Sequence, residues 1–295
     1  MKASVTLTGI LCAVTAMACF ATLDTTNKIL VTGVPLLMIL WVRYMFQAVA
    51  TTAVMLPKRG LAIFSTRHLG LQVLRGLLLV ACSLLAFMSL QRMPVAEFTA
   101  IGMLTPLAVT LLARFFMHEH VSPLRWLFVT GGMVGALLIV RPGGSMSPED
   151  AWLPLIMVMA YASFQTLTSH MAKTENPMTL HFYTGLVGAV LASVLVPGWW
   201  TTELSAMQWL QLCIVGTMGT LGHYLLILAF AKAPAVTITP FLYSGIAFAT
   251  LGGWLVFSHI PDRVAVFGML LIALCGLGAG WLSQREPQAP ETSST

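Results

Sequence analysis

Apolar residues run along this chain in continuous blocks of about twenty positions, the length a helix needs to cross a hydrocarbon core. The blocks do not alternate between apolar and polar positions, so helices are predicted rather than the strands of a barrel. Ten spans are predicted, at 5–29, 35–56, 70–90, 95–116, 122–141, 150–171, 178–197, 207–230, 235–257 and 264–283. The breaks between them carry turn chemistry: Gly33 and Pro35, Pro57 to Gly60, Pro94, Pro123, Pro142, Pro177, Pro197, Pro234 and Pro261. The first block is longer than a signal-peptide core and lacks a convincing cleavage site, so it reads as a retained span.

Two segments recur in register. LQRMPVAEFTAI at 90–101 resembles FAKAPAVTITPF at 230–241, an offset of 140 residues. At nearly the same offset, CFATLDTTNK at 19–28 echoes SFQTLTSHMAK at 163–173. Two halves of five spans each follow, 1–145 and 146–284, with 285–295 as a disordered cytoplasmic tail. Five is odd, so the second half is inverted relative to the first, an architecture that places a binding site between the halves near the midplane.

Composition agrees: 58% of residues are hydrophobic and 8% charged, against about a quarter charged in soluble domains. The net charge of +5 raises nucleic acid as a partner, but no loop carries a basic tract. With the N-terminus inside, ten lysines and arginines fall on the inner side and four on the outer, while Arg43 lies within a span. This predicts both termini on the cytoplasmic side, and the expected location is a bacterial inner membrane. The five cysteines lie in apolar runs without C-x-x-C spacing, and MHEH at 117–120 is not H-E-x-x-H. No disulfide framework, metal or cofactor is predicted.

Charges inside spans are costly and mark function by default. Asp24 and Lys28 lie one helical turn apart, and Asp24 falls about 25 Å along the first helix from Leu7, in its outer part. An interfacial ion pair with Lys28 snorkelling outward is the plain alternative. Arg43 sits eight residues after Pro35, and Glu97 lies near the outer end of span four. Two acids and two bases at similar depth make either a self-neutralising structural cluster or a gate and binding layer. Their repeat partners, Thr168 for Asp24 and Thr237 for Glu97, are uncharged. His223 is buried in span eight, where a packing role competes with a chemical one. Tyr243 follows a proline and precedes a glycine, an interruption of the kind that marks transport sites. Phe20, Phe98, Tyr161 and Tyr224 are candidate cavity-lining aromatics, although lipid or core contact is the default for each. Glycine pairs such as 131/135 and the set 216/219/222 predict close helix packing.

FATLDTTNK, WVRYMF, LRGLLLVACSLLAFMSLQRMPVAEFTAIGMLTPL, GGMVGALLIVRPGG and GHYLLILAFAKAPAVTITPFLY together resemble the EamA-type ten-helix transporters of the drug/metabolite transporter superfamily. The resemblance covers nearly the whole chain. It implies inverted five-helix repeats around a central cavity, alternating access, and a small-molecule metabolite as cargo. The branch it most resembles is often described as riboflavin or S-adenosylmethionine carriers; amino-acid and metabolite exporters belong to the same family. Two acids beside two bases suit an amphoteric cargo. Protons at Asp24 or Glu97 are the candidate coupling ion, with exchange or facilitated diffusion as alternatives, and a homodimer is the candidate assembly. An intramembrane enzyme would need a nucleophile–base pair or a metal constellation, neither of which has its motif here.

Overall fold

The computed structural model describes residues 2–90, 92, 101–102, 104–117, 121–140, 152–258 and 263–285. Within them the chain forms α1 Lys2–Leu30, α2 Leu36–Arg59, α3 Leu69–Leu90, α4 Thr105–Phe116, α5 Pro123–Val140, α6 Trp152–Met171, α7 Pro177–Leu195, α8 Ala206–Lys232, α9 Ala235–Leu242, α10 Ser244–Phe257 and α11 Arg263–Arg285, with short 3-10 turns at Gly60–Phe64 and Pro197–Trp199. No strand occurs among the described residues. This is an all-helical fold, as an apolar chain without an aqueous outlet for its backbone groups requires.

Among the described residues, six segments are long and apolar enough to cross a membrane: Val5–Leu30, Leu36–Lys58, Leu69–Ala86, Pro177–Leu195, Ala206–Lys232 and Ala235–Phe257. Thr105–Phe116 and Val266–Ala279 are shorter apolar helices. The ten predicted spans therefore are not all met among the described residues. Within the predicted 95–116 span, a continuous helix is described from Thr105, with Ile101 and Gly102 also helical before it. The proposed tail lies outside the described residues beyond Arg285.

Local chemistry sets most of the ends. Asn176 caps α7 by accepting from the Met178 amide, with Pro177 at the first turn. Ser205 and Gln208 form a reciprocal capping box on α8. Pro57 does not end α2 as predicted: the helix runs on to Arg59 and stops at Gly60, whose φ is 56°. A proline deletes one hydrogen bond, whereas positive φ is readily reached only by glycine.

The helices pair in a regular pattern. The most extensive contacts join α1 to α8, α5 to α11, α2 to α7 and α3 to α6; α1–α10, α2–α8, α3–α7, α4–α6 and α4–α9 follow. Small residues set the closest crossings. A Cβ on Gly185 of α7 would lie 3.0 Å from the Ala48 amide nitrogen of α2. The main core joins Ala13, Ala16 and Met17 of α1 to Val109 of α4, Ala162 of α6, Leu226 and Phe230 of α8, and Ile238 of α9.

Candidate functional site

Asp24 sits on the wrong side of α1 for a lipid-facing residue. Ala13, Met17, Phe20 and Asp24 form one stripe at helical spacing. Ala13 and Met17 are buried. Met17 lies near Gly245 of α10, and Phe20 packs on Gly222 of α8. The opposite face, with Leu7, Leu11, Thr15 and Thr22, is exposed. Asp24 shares the inward stripe yet is itself exposed. It also lies within electrostatic reach of Arg43 on α2 and Tyr161 on α6. An accessible carboxylate on the inward stripe, in electrostatic reach of two other helices, marks a candidate space between α1, α2 and α6.

Arg43 approaches that space from α2. Its guanidinium donates to Ser83 Oγ of α3 at 2.9 Å, Tyr44 Oη lies 3.3 Å from the same hydroxyl, and Arg43 Nε has no partner. The Arg43 stem passes Gly219, where a Cβ would stand 3.2 Å from it. Gly216, Gly219 and Gly222 are thus seats on α8 for Phe46, for Leu23 and Arg43, and for Phe20. Asp24 makes no hydrogen bond or ion pair among the described residues. Lys28 turns away from it, placing Nζ 4.7 Å from the centre of the Phe257 ring at the end of α10.

Aromatic rings floor the space. His223 is buried and meets Phe20 edge-on at 4.8 Å and Phe164 at 6.3 Å. Tyr161 stacks parallel to Phe164 at 6.0 Å. Tyr224 pairs with His181 at 5.7 Å. The structure therefore brings Phe20, Asp24, Arg43, Tyr161 and His223 together. Tyr243 lies elsewhere: it marks the α9–α10 break but packs with Val129, Ile246 and Ile272 against Gly132. Glu97 and Phe98 lie outside the described residues.

Beneath the floor is a second polar layer that inspection of the charged spans missed. Arg75 of α3 is 0% exposed. It donates through Nε to Thr168 Oγ1 at 3.0 Å and through one terminal nitrogen to the Leu180 carbonyl at 3.2 Å and Gln72 Oε1 at 3.3 Å. Its guanidinium lies 5.3 Å from the Phe164 ring centre. Gln47 donates to the His181 carbonyl at 2.9 Å, and Gln165 and Ser169 are buried with unpartnered oxygens. Thr237 accepts a hydrogen bond of 2.8 Å from Arg125. The signal for this layer was present as Gln72, Arg75, Gln165 and His181 within otherwise apolar runs. By sequence Arg75 counts only among the ten inner-side basic residues, because it lies so near the start of its span. No group of three or more His, Cys, Asp or Glu side chains is placed to hold a metal among the described residues.

An all-helical, multi-pass membrane protein with charged and aromatic side chains gathered between its helices is the class these features define. The EamA-like transporter family profile matches residues 7–141 and again 150–278, and the chain belongs to that family. It is 27% identical over 239 residues to a riboflavin transporter of Brucella anthropi, covering 78% of this chain and 83% of that protein. It is 24% identical over 253 residues to an S-adenosylmethionine uptake transporter of Rickettsia felis, 84% of each chain. A pseudopaline exporter of Pseudomonas aeruginosa is 23% identical over 268 residues, 90% of this chain and 93% of that one. A solved crystal structure superimposes with a TM-score of 0.81 over 94% of this chain and 98% of that chain, at 15% identity, which establishes the shared fold.

Proposed function

We propose that this protein is a secondary transporter that carries a small polar or amphoteric organic metabolite by alternating access. One observation carries this reading: Asp24 is solvent-accessible although it lies on the bundle-facing stripe of α1, with Arg43 across the space. A carboxylate on α1 and a guanidinium on α2 in electrostatic reach of each other suit a cargo bearing both charges, and the nearby aromatic rings suit a flat apolar portion. Riboflavin and S-adenosylmethionine, named for two relatives, head the cargo candidates. The exporter among the relatives leaves direction to experiment.

The helix pairing supports two inverted repeats, 1–145 and 146–284. If each span is exchanged with the one five later, α9 and α10 counting together, α1–α8 becomes α6–α3 and α2–α8 becomes α7–α3. The pairs α2–α7, α5–α11 and α4–α9 map onto themselves. Every one of these pairs is present. Two halves related in this way can rock about a shared site and expose it to each side in turn. In this reading both termini face the cytoplasm, the membrane is the bacterial inner membrane, and protons binding Asp24 are the coupling candidate.

Counterflow in proteoliposomes tests the proposal. Vesicles are preloaded with one candidate cargo and offered tracer outside, without an ion gradient, for wild type and Asp24→Asn. Tracer accumulation in wild type and its loss in a folded Asp24→Asn protein is the expected result. Equal accumulation in both would remove Asp24 from the cargo path.

A further inference from the structure

The buried arginine below the aromatic floor has no carboxylate. Arg75 contacts a threonine hydroxyl, a glutamine oxygen, a backbone carbonyl and an aromatic face. All are neutral, and one terminal nitrogen has no partner at all. A buried cation without a counter-ion is a poor way to gain stability. Its partners explain its position better. Thr168 lies near the end of α6 and Leu180 in the first turn of α7, whereas Arg75 belongs to α3. The guanidinium therefore ties the first stretch matched by the family profile to the second.

The tie continues to the loops at the same end of the bundle. Gln72 donates to Thr66 Oγ1 at 3.3 Å, and Thr66 donates to Glu175 Oε1 at 2.9 Å. The Arg67 amide donates to the same oxygen at 2.7 Å. Glu175 is buried, so this carboxylate anchors the loop after α2 to the loop after α6. A second bond of the same type, Arg125 to Thr237, joins α5 to α9 at that end. The contrast with the other end is sharp: there Asp24 is exposed and Arg43 only half buried.

We propose that Arg75 is the positioning residue of the transport cycle that locks this end shut, with Thr168 and the Leu180 carbonyl as its keepers. The inference rests on the alternating-access reading. Neutral partners suit a reversible lock, because breaking such a bond leaves a threonine or a carbonyl rather than a stranded anion. The stack from Arg75 through Phe164 and His223 to Phe20, one turn from Asp24, places the lock directly beneath the floor of the cargo space.

A thiol reporter reads the lock without knowing the cargo. Cys12, Cys19, Cys82, Cys213 and Cys275 are replaced by serine or alanine, and Ser169→Cys, a buried position beside Thr168, is introduced. A membrane-impermeant maleimide is applied from each side in vesicles of known orientation. S169C alone should label slowly from both sides. Adding Arg75→Met should raise labelling about tenfold from one side only, the side of the loops after α2 and α6, as expected when a state difference falls by roughly one decade. Thr168→Val, a milder change, should do the same to a smaller extent, which covers failure of Arg75→Met to fold. Unchanged labelling in folded Arg75→Met and Thr168→Val proteins overturns the lock, and so does an equal rise from both sides. A one-sided rise in a protein that shows no counterflow with any cargo would overturn the transport reading instead.

Discussion

At the scale of single residues, Asp24 and Lys28 have different fates although they were predicted from one motif. Spacing of four places both on one face, but it does not choose their partners. Phe257 at the end of α10 takes the Lys28 ammonium, an exposed cation–π contact of about 0.5–1 kcal/mol. Asp24 is left in electrostatic reach of Arg43 without an ion pair or hydrogen bond among the described residues. Lys28→Met should therefore keep counterflow within about twofold of wild type, whereas Arg43→Gln should abolish it in a folded protein, as one charge facing cargo in a low-dielectric site matters far more than one at the rim. Loss of transport in Lys28→Met would return Lys28 to the cargo layer. The charged candidates were legible because a charge in an apolar run is conspicuous. Arg75 was not, since it lies so near the start of α3 that hydropathy alone cannot separate a snorkelling side chain from a buried one. Tyr243 shows the reverse case: its backbone break was legible, but the direction of its ring depends on α5 and α11, which only the tertiary fold supplies.

At the scale of elements, glycines divide into two roles that one sequence pattern cannot distinguish. On α7, Gly185 brings backbone close to backbone, with a Cβ there 3.0 Å from the Ala48 nitrogen and 2.9 Å from Gln47 Cγ. Backbone cannot step aside as a side-chain tip can, so Gly185→Val should destabilise the fold by about 1–3 kcal/mol through overpacking, visible as a lower Tm in detergent. An unchanged Tm would mean that α2 and α7 separate freely. On α8, Gly219 makes room for Leu23 and for the Arg43 stem, at 3.0 and 3.2 Å from a built Cβ. Gly219→Val should displace Arg43 and lower counterflow several-fold at little cost to Tm, since flexible tips yield first. The sequence predicts close packing at Gly219, where it is found, whereas Gly185 lies outside the predicted glycine sets. What packs there, backbone on α7 and a charged side chain on α8, depends on helices far away in the chain.

At the scale of the whole molecule, the helical class and the family were legible in apolar block length and in motifs spread along the chain. The count of ten spans is not met in full among the described residues, because α4 is described over only part of its predicted span and the apolar stretch of α11, Val266–Ala279, is short. The charged residues at the two ends differ in a way that no single segment encodes: Asp24 is exposed, whereas Arg75 and Glu175 are buried. In the proposed alternating-access reading, two halves that rock as units open one end as the other closes, because the helices that line both ends are the same rods. Labelling should therefore be anticorrelated. Thr25→Cys, half-buried one residue beyond Asp24, is paired separately with Arg75→Met in the cysteine-free background. Releasing the lock shifts population toward the opposite state, so T25C labelling should fall from its own side by a factor comparable to the rise of S169C from the other. If T25C labelling stays constant while S169C rises, the sealed end frays locally, and the rigid exchange of the two halves is wrong.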